Sequence, residues 1–178
     1  MDFFKKLKKV FTTSNDSNDD NIEDITITCV NNKDYKFCLE HDEEIQKVLH
    51  ANNFFKTKYN ENCFQSILYI QHKNQEPTIE GFGIISKERS PKLSSFCISP
   101  KYQGQTIGSK FLMMIENNFK TVFKSIGLMS FQFTLEAGEA TKGFYEKQGY
   151  SVSGKWELAN EPIIYHMIKN IDLSNWKI

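Results

Sequence analysis

Ile25, Ile27 and Cys29 alternate with polar residues, and a second short run, Tyr35 to Leu39, follows the turn-like pair Asn31-Asn32. This pattern predicts a first strand or hairpin. Between His41 and Tyr59 the apolar positions are Ile45, Val48, Leu49 and Phe55 among charges, with Asp42 and further acidic residues leading, as suits a helix N-terminus. The apolar runs Phe64 to Gln71 and Ile79 to Lys87 flank HKNQEP, where Pro77 favours a hairpin connection, and Leu93 to Ser99 reads as the next strand. Ile107, Phe111, Leu112, Ile115 and Phe119 then recur at helical spacing, enough for about four turns with one buried face. Phe131, Phe133 and Leu135 alternate as a strand, Thr141 to Lys147 makes a short helix stopped by Gly149, and Tyr150 to Leu158 and Ile163 to Ile168 read as two closing strands. Mixed in this order, the elements predict an α/β (α+β) fold: a mixed, mostly antiparallel, twisted sheet flanked by helices, with no internal repeat.

The first residues follow another pattern. Phe3, Phe4, Leu7, Val10 and Phe11 fall at helical spacing, with Lys5, Lys6, Lys8 and Lys9 between them. Such a helix either packs or frays at the terminus or makes a weak contact with an anionic membrane or a partner through residues 1–11. Asp2 stands where myristoylation would need glycine. The polar, acidic run TTSNDSNDDNIED cannot bury enough surface to offset its ordering entropy and reads as a linker. The chain therefore divides into a segment over 1–24 and one domain over 25–178, as expected for 178 residues.

Composition narrows the function classes. Acidic and basic residues balance at 22 each, so no nucleic-acid partner is expected from overall charge. Cys29, Cys38, Cys63 and Cys97 form no CxxC pair. No signal-like region or spanning apolar run is present, so the expectation is a cytoplasmic protein with reduced thiols. His41, His50 and His72 show no ligand spacing with cysteines or carboxylates, so no metal is predicted. Monomer and homodimer are both left open.

The chemistry concentrates in CISPKYQGQTIGSKFL, Cys97 to Leu112. Pro100 cannot donate to a ladder and so ends the strand, and Gln103 to Ser109 is expected to form the first turn of the following helix. A helix start carries unpaired amides and partial positive charge, and a glycine there admits a phosphate close to the backbone. A plain tight turn would also explain the two glycines. No GxxxxGK[ST] run is present, and no GxGxxG follows the first strand.

The order apolar strand, Ser-Pro, KYQGQTIG, amphipathic helix resembles the acyl-CoA motif of the GNAT superfamily of N-acetyltransferases. Gln103 takes the motif's first place and Gly108 its last, while Thr106 stands where the family usually has its middle glycine. A second stretch, LEAGEATKGFYEKQGY, resembles the family's Ala…Phe-Tyr-Glu-Lys-x-Gly-Tyr motif through Ala137, Phe144, Tyr145, Glu146, Lys147, Gly149 and Tyr150. Gly138 and Thr141 replace the family's frequent Asn and Ala. Together the motifs and the elements between them cover roughly residues 25 to 168.

The resemblance implies acetyl-CoA as co-substrate and direct acetyl transfer to a primary amine of a small molecule or a protein. Strand Phe96, Cys97, Ile98 would expose backbone groups to the pantetheine arm. Gln103, Gly104, Gln105, Thr106, Ile107, Gly108 and Ser109 would hold the diphosphate, and Tyr145 would lie at the thioester sulfur. A phenol with a reference pKa of about 10 can donate to a thiolate whose own is about 8.5. Glu80 and Glu136, at strand ends, are the candidate bases, although a carboxylate so placed is more often simply solvated; His166 is a further candidate or a hydrogen-bonded core residue. Cys97 is discounted as a nucleophile, because apolar surroundings raise a thiol's pKa and no histidine adjoins it in sequence. Residues 39 to 62, with Phe54, Phe55 and Tyr59, are the candidate acceptor wall. The alternative is a catalytically silent acyl-CoA-binding or interaction module on the same fold, which the Thr106, Gly138 and Thr141 departures permit.

Overall fold

The computed structural model describes residues 11–13, 25–32, 35–54, 63–86, 88, 90–159 and 161–177. The expected basic helix over residues 1–10 lies outside them, as do 14–24 of the linker and the aromatics Phe55 and Tyr59. The elements are β1 (Phe11–Thr13), β2 (Ile25–Asn32), α1 (Tyr35–Glu40), α2 (Asp42–Ala51), β3 (Cys63–His72), β4 (Thr78–Ser86), β5 (Lys92–Ile98), α3 (Ile107–Ser125), β6 (Ser130–Gly138), α4 (Glu139–Lys147), β7 (Ser151–Trp156) and β8 (Ile164–Asp172). The eight strands form one mixed, mostly antiparallel sheet in the order β1-β2-β3-β4-β5-β6-β8-β7. Its parallel step is β5 with β6.

The chain forms two compact units, one of residues up to Ile84 together with Ser95–Asn118, the other of Ile85–Ser94 with Phe119–Ile178. In the first, β2 pairs antiparallel with β1 and, from Ile25↔His72 to Asn32↔Gln65, with β3. Helix α2 buries Ile45, Val48 and Leu49, an i, i+3, i+4 stripe, in a cluster with Ile67 of β3, Phe82 and Ile84 of β4 and Cys97 of β5. Successive strand residues face opposite ways. Phe96 accordingly turns from that cluster and stacks on Phe111 of α3 at 5.2 Å.

In the second unit β8 lies between β6 and β7, antiparallel to both, with a register shift between Val152 and Gly154. An edge-to-face aromatic chain runs from Phe123 and Phe119 of α3 through Phe133 of β6 to Tyr150 and Tyr145. Such pairs add about 0.5–1.5 kcal/mol each beyond their buried area. All six residues of β7, at the sheet's edge, are exposed. No helix among the described residues is long and apolar enough to cross a membrane.

Several expectations are corrected. Phe11 and Thr12–Thr13 pair with β2 as a strand, instead of ending a helix and opening a linker. Asn31-Asn32 does not turn, because the ladder to β3 continues through both. Tyr35 to Leu39 is helix α1, not a strand: it buries Cys38 and exposes Leu39, and a five-residue apolar run fits either period. Helix α2 stops at Ala51, where Asn53 takes a left-handed φ of 60°, a helix-ending role open to asparagine. Helix α3 runs 19 residues, and β8 continues to Asp172.

Candidate active site

The sequence turns sharply at the end of β5. The Ser99 amide donates to the Glu80 carbonyl of β4 at 2.7 Å. Alternation along a strand then points the backbone groups of Phe96 and Ile98 away from β4. The parallel ladder of β5 with β6 is registered at Lys92 and Leu93 alone. Pro100, with no amide hydrogen, opens a 3-10 turn to Tyr102, closed by Tyr102 N–H on Ser99 O at 2.9 Å.

The loop that follows differs from the expected first helical turn. Gln103–Thr106 precede the helix, which starts at Ile107, and Gly104 and Thr106 both take left-handed backbone, φ 76° and 61°. Nothing lies within 4 Å of where a side chain on Gly104 would stand. That open backbone, followed by the amides heading α3, fits a bulky anion such as a diphosphate. The loop gives the family's middle glycine a physical reason, since left-handed φ is costly for a β-branched residue. Thr106→Gly relieves about 1–2 kcal/mol of strain and returns about 0.5–1 in lost rigidity of the unfolded chain. Thermal unfolding should therefore show a small gain, and Thr106→Ala, which sheds the branched side chain but keeps a Cβ, no larger one.

Three side chains tether this loop within the first unit. Lys101 Nζ pairs with Glu80 Oε1 at 2.8 Å. The Tyr102 hydroxyl and His72 Nε2 are hydrogen-bonded at 2.8 Å. Gln103 Nε2 donates to Asn52 Oδ1 at 2.8 Å and to the Ile98 carbonyl at 3.3 Å. Sequence reasoning missed Lys101, Tyr102, His72 and Asn52; the pairs join positions 30 and 51 residues apart, and no local pattern marks them.

Glu80 is buried, its side chain 7% exposed. Burial alone would raise its pKa, but bonds from Lys101, Ser99 and Thr78, and the Lys101 charge, outweigh it and hold the carboxyl below its ordinary value. The Thr78 hydroxyl donates to Oε1 at 2.8 Å. Beside it lies a cavity of about 460 Å³ lined by Glu44, Lys47, Tyr69, Thr78, Glu80 and Ser99 among others. Its α2 residues belong to the expected acceptor wall; Phe54 is exposed. Burial pushes the Cys97 thiol up to about 12, with its S–H directed at the Phe82 carbonyl at 3.8 Å, which leaves it a poor nucleophile.

The second unit carries the other candidates. Tyr145 is buried on α4, its ring edge-on to Phe144 at 5.0 Å and to Tyr150 at 5.8 Å. The Tyr150 amide returns to the Tyr145 carbonyl at 3.1 Å, fixing the turn after α4. Glu136 is exposed on β6 and pairs with Lys92 at 2.7 Å. His166 Nδ1 is hydrogen-bonded to the Ser153 hydroxyl at 2.7 Å and is half-buried, away from the core. Thr141, in place of the family's alanine, donates to the Gly138 carbonyl at 3.2 Å. No group of three or more His, Cys, Asp or Glu side chains able to hold a metal occurs among the described residues.

The profile of the acetyltransferase (GNAT) domain matches residues 39–170, and the chain belongs to this family, whose general activity is acetyl-CoA-dependent acyl transfer. The fold is similar to that of the ribosomal-protein-S18-alanine N-acetyltransferase of Escherichia coli: 16% identity over 84% of this chain and 98% of that one, TM-score 0.59. It is also similar to Ard1 of Thermoplasma volcanium, at 12% identity, 80% and 97% coverage and TM-score 0.51. An aminoglycoside 6'-N-acetyltransferase complexed with coenzyme A matches at 12% identity, 79% and 96% coverage and TM-score 0.56. Comparison with curated proteins finds no similar sequence.

Proposed function

We propose that the protein transfers an acetyl group from acetyl-CoA directly to a primary amine, of a small molecule or of a protein, with Tyr145 as the proton donor. The observation that carries this reading is the loop after β5, where left-handed Gly104 leaves open backbone ahead of the amides of α3. Gln103–Ser109 would hold the diphosphate and the backbone of Phe96–Ile98 the pantetheine amides. Acetyl-CoA, when bound, supplies the activated thioester.

The phenol of Tyr145, fixed by Phe144 and Tyr150, holds the proton that the departing sulfur needs. The acceptor must lose a proton in turn, and the two carboxylates differ in their fitness to take it. Glu80 is buried and already bound by a cation and hydroxyls, which makes it a weak base. Glu136 shares only a half-exposed ion pair with Lys92, worth about 0–1 kcal/mol and therefore easily opened. Glu136 is the base we favour. The cavity beside Glu80 is of a size for a small ligand or a peptide end, and its wall carries charges of both signs, Glu44 and Glu80 against Lys47.

Free-thiol release from acetyl-CoA, screened across amines and peptides, tests the reading. Turnover with any amine supports it. Coenzyme binding without turnover on the whole panel would leave the silent binding module, and no binding at all would remove both.

A further inference from the structure

We infer that Asn52, at the end of α2, is a positioning residue for the coenzyme loop; the inference rests on the reading of Gln103–Ser109 as the diphosphate cradle. Its carboxamide is used on both sides. Nδ2 donates to the Val48 carbonyl at 2.8 Å and to the Ile98 carbonyl at 2.9 Å, while Oδ1 accepts from Gln103 Nε2 at 2.8 Å. Gln103 Nε2 also reaches the Ile98 carbonyl at 3.3 Å. The result is a closed triangle joining a helix end, a strand end and the start of the loop.

Helix capping accounts for little of this. The amides of Asn52, Asn53 and Phe54 already return to Leu49 and His50 carbonyls, so the Val48 bond is the only side-chain contribution to the cap. The other two bonds serve the loop. Ile98 and Gln103 bracket the 3-10 turn, five residues apart, and Asn52 ties both ends together. Lys101 and Tyr102 tether the turn before Gln103, whereas Gly104, immediately after it, has nothing within 4 Å of its Cβ position. Gly104 thus lies between two side-chain tethers, Gln103 to Asn52 at 2.8 Å and Gln105 Nε2 to the Lys101 carbonyl at 2.7 Å; the second closes within the loop, whereas the bond to Asn52 ties it to α2. Without Asn52 a flexible glutamine keeps only its longer bond, and the coenzyme must order the loop at its own expense.

Calorimetry with coenzyme A on the full chain tests this, with thermal unfolding of every variant alongside. Asn52→Ala and Gln103→Ala should each weaken coenzyme A by about five- to tenfold, the scale of one net hydrogen bond. The double variant should be no weaker than the weaker single, because either change opens the same triangle. Asn52→Asp sets an anionic oxygen against the Val48 and Ile98 carbonyls at a helix C-terminus, and should weaken coenzyme A at least as much as Asn52→Ala. Gln103 is exposed, so its variant should melt near the wild-type temperature even if Asn52→Ala unfolds more readily; because Gln103 is itself read as part of the cradle, the double variant is what assigns its effect to the bond with Asn52. A lowered melting temperature with unchanged coenzyme affinity, or effects that simply add, would overturn the proposal. Failure of the wild-type protein to bind coenzyme A would instead overturn the cradle, and the proposal with it.

Discussion

Tyr145→Phe should lower the rate of thiol release by about 10²- to 10³-fold, toward the lower end of the range for loss of a general acid because a thiolate leaves tolerably well unprotonated. Phenylalanine keeps the ring that packs on Phe144 and Tyr150, so the fold and coenzyme affinity should stay near wild type. The loss then belongs to the chemical step, visible in turnover at saturating acetyl-CoA and absent from a calorimetric titration with coenzyme A. A variant as fast as wild type would take the proton-donor role away from Tyr145.

Lys101→Met should cost the fold about 2 kcal/mol at neutral pH. Breaking a buried pair typically costs about 3–5 kcal/mol, and the figure is reduced here because Lys101 faces water at 62% exposure while Glu80 does not, at 7%. The pH dependence identifies the cause. The carboxyl of Glu80 is held below its ordinary 4.5, so its contribution is present above that value and lost as pH falls through the lowered one. Chiefly through its bond to Glu80, Lys101 is raised above 10.5, so its share is present below that value and lost as pH rises past the raised one. Between these limits wild type exceeds the variant, in which burial of Glu80 goes uncompensated by charge. Urea unfolding of both proteins at neutral pH and near pH 3 should show the gap closing in acid. A gap independent of pH would mean that lost packing, not charge, is responsible.

The long amphipathic stripe of α3 and the alternation of β6 were legible because periodicity over many residues has one solution. The short run Tyr35 to Leu39 was not, since five apolar-rich residues satisfy both periods, and the outcome followed from β2 pairing on through Asn32. The loop after β5 was located by its glycines and its proline. Its backbone was misjudged by one turn, because the left-handed φ of Thr106 is a tertiary outcome that a threonine does not advertise. What ties that loop down was illegible altogether. Asn52, His72 and Glu80 come to it from an earlier helix and two earlier strands, and a single polar residue in a sequence carries no mark of a partner 50 places on. Glu80 looked like a strand-end carboxylate facing solvent, and its burial came with the partners that compensate it.

The chain passes between its two compact units after Ile84, after Ser94 and within α3 after Asn118. Each is thus spliced from separate stretches of sequence, and neither can be excised as a continuous piece. A fragment stopped at Asn118 amputates α3 before its end at Ser125 and strips Lys92 and Leu93 of the strand they pair with. Dissection of this enzyme must proceed by substitution, since no single cut of the polypeptide parts one compact unit from the other.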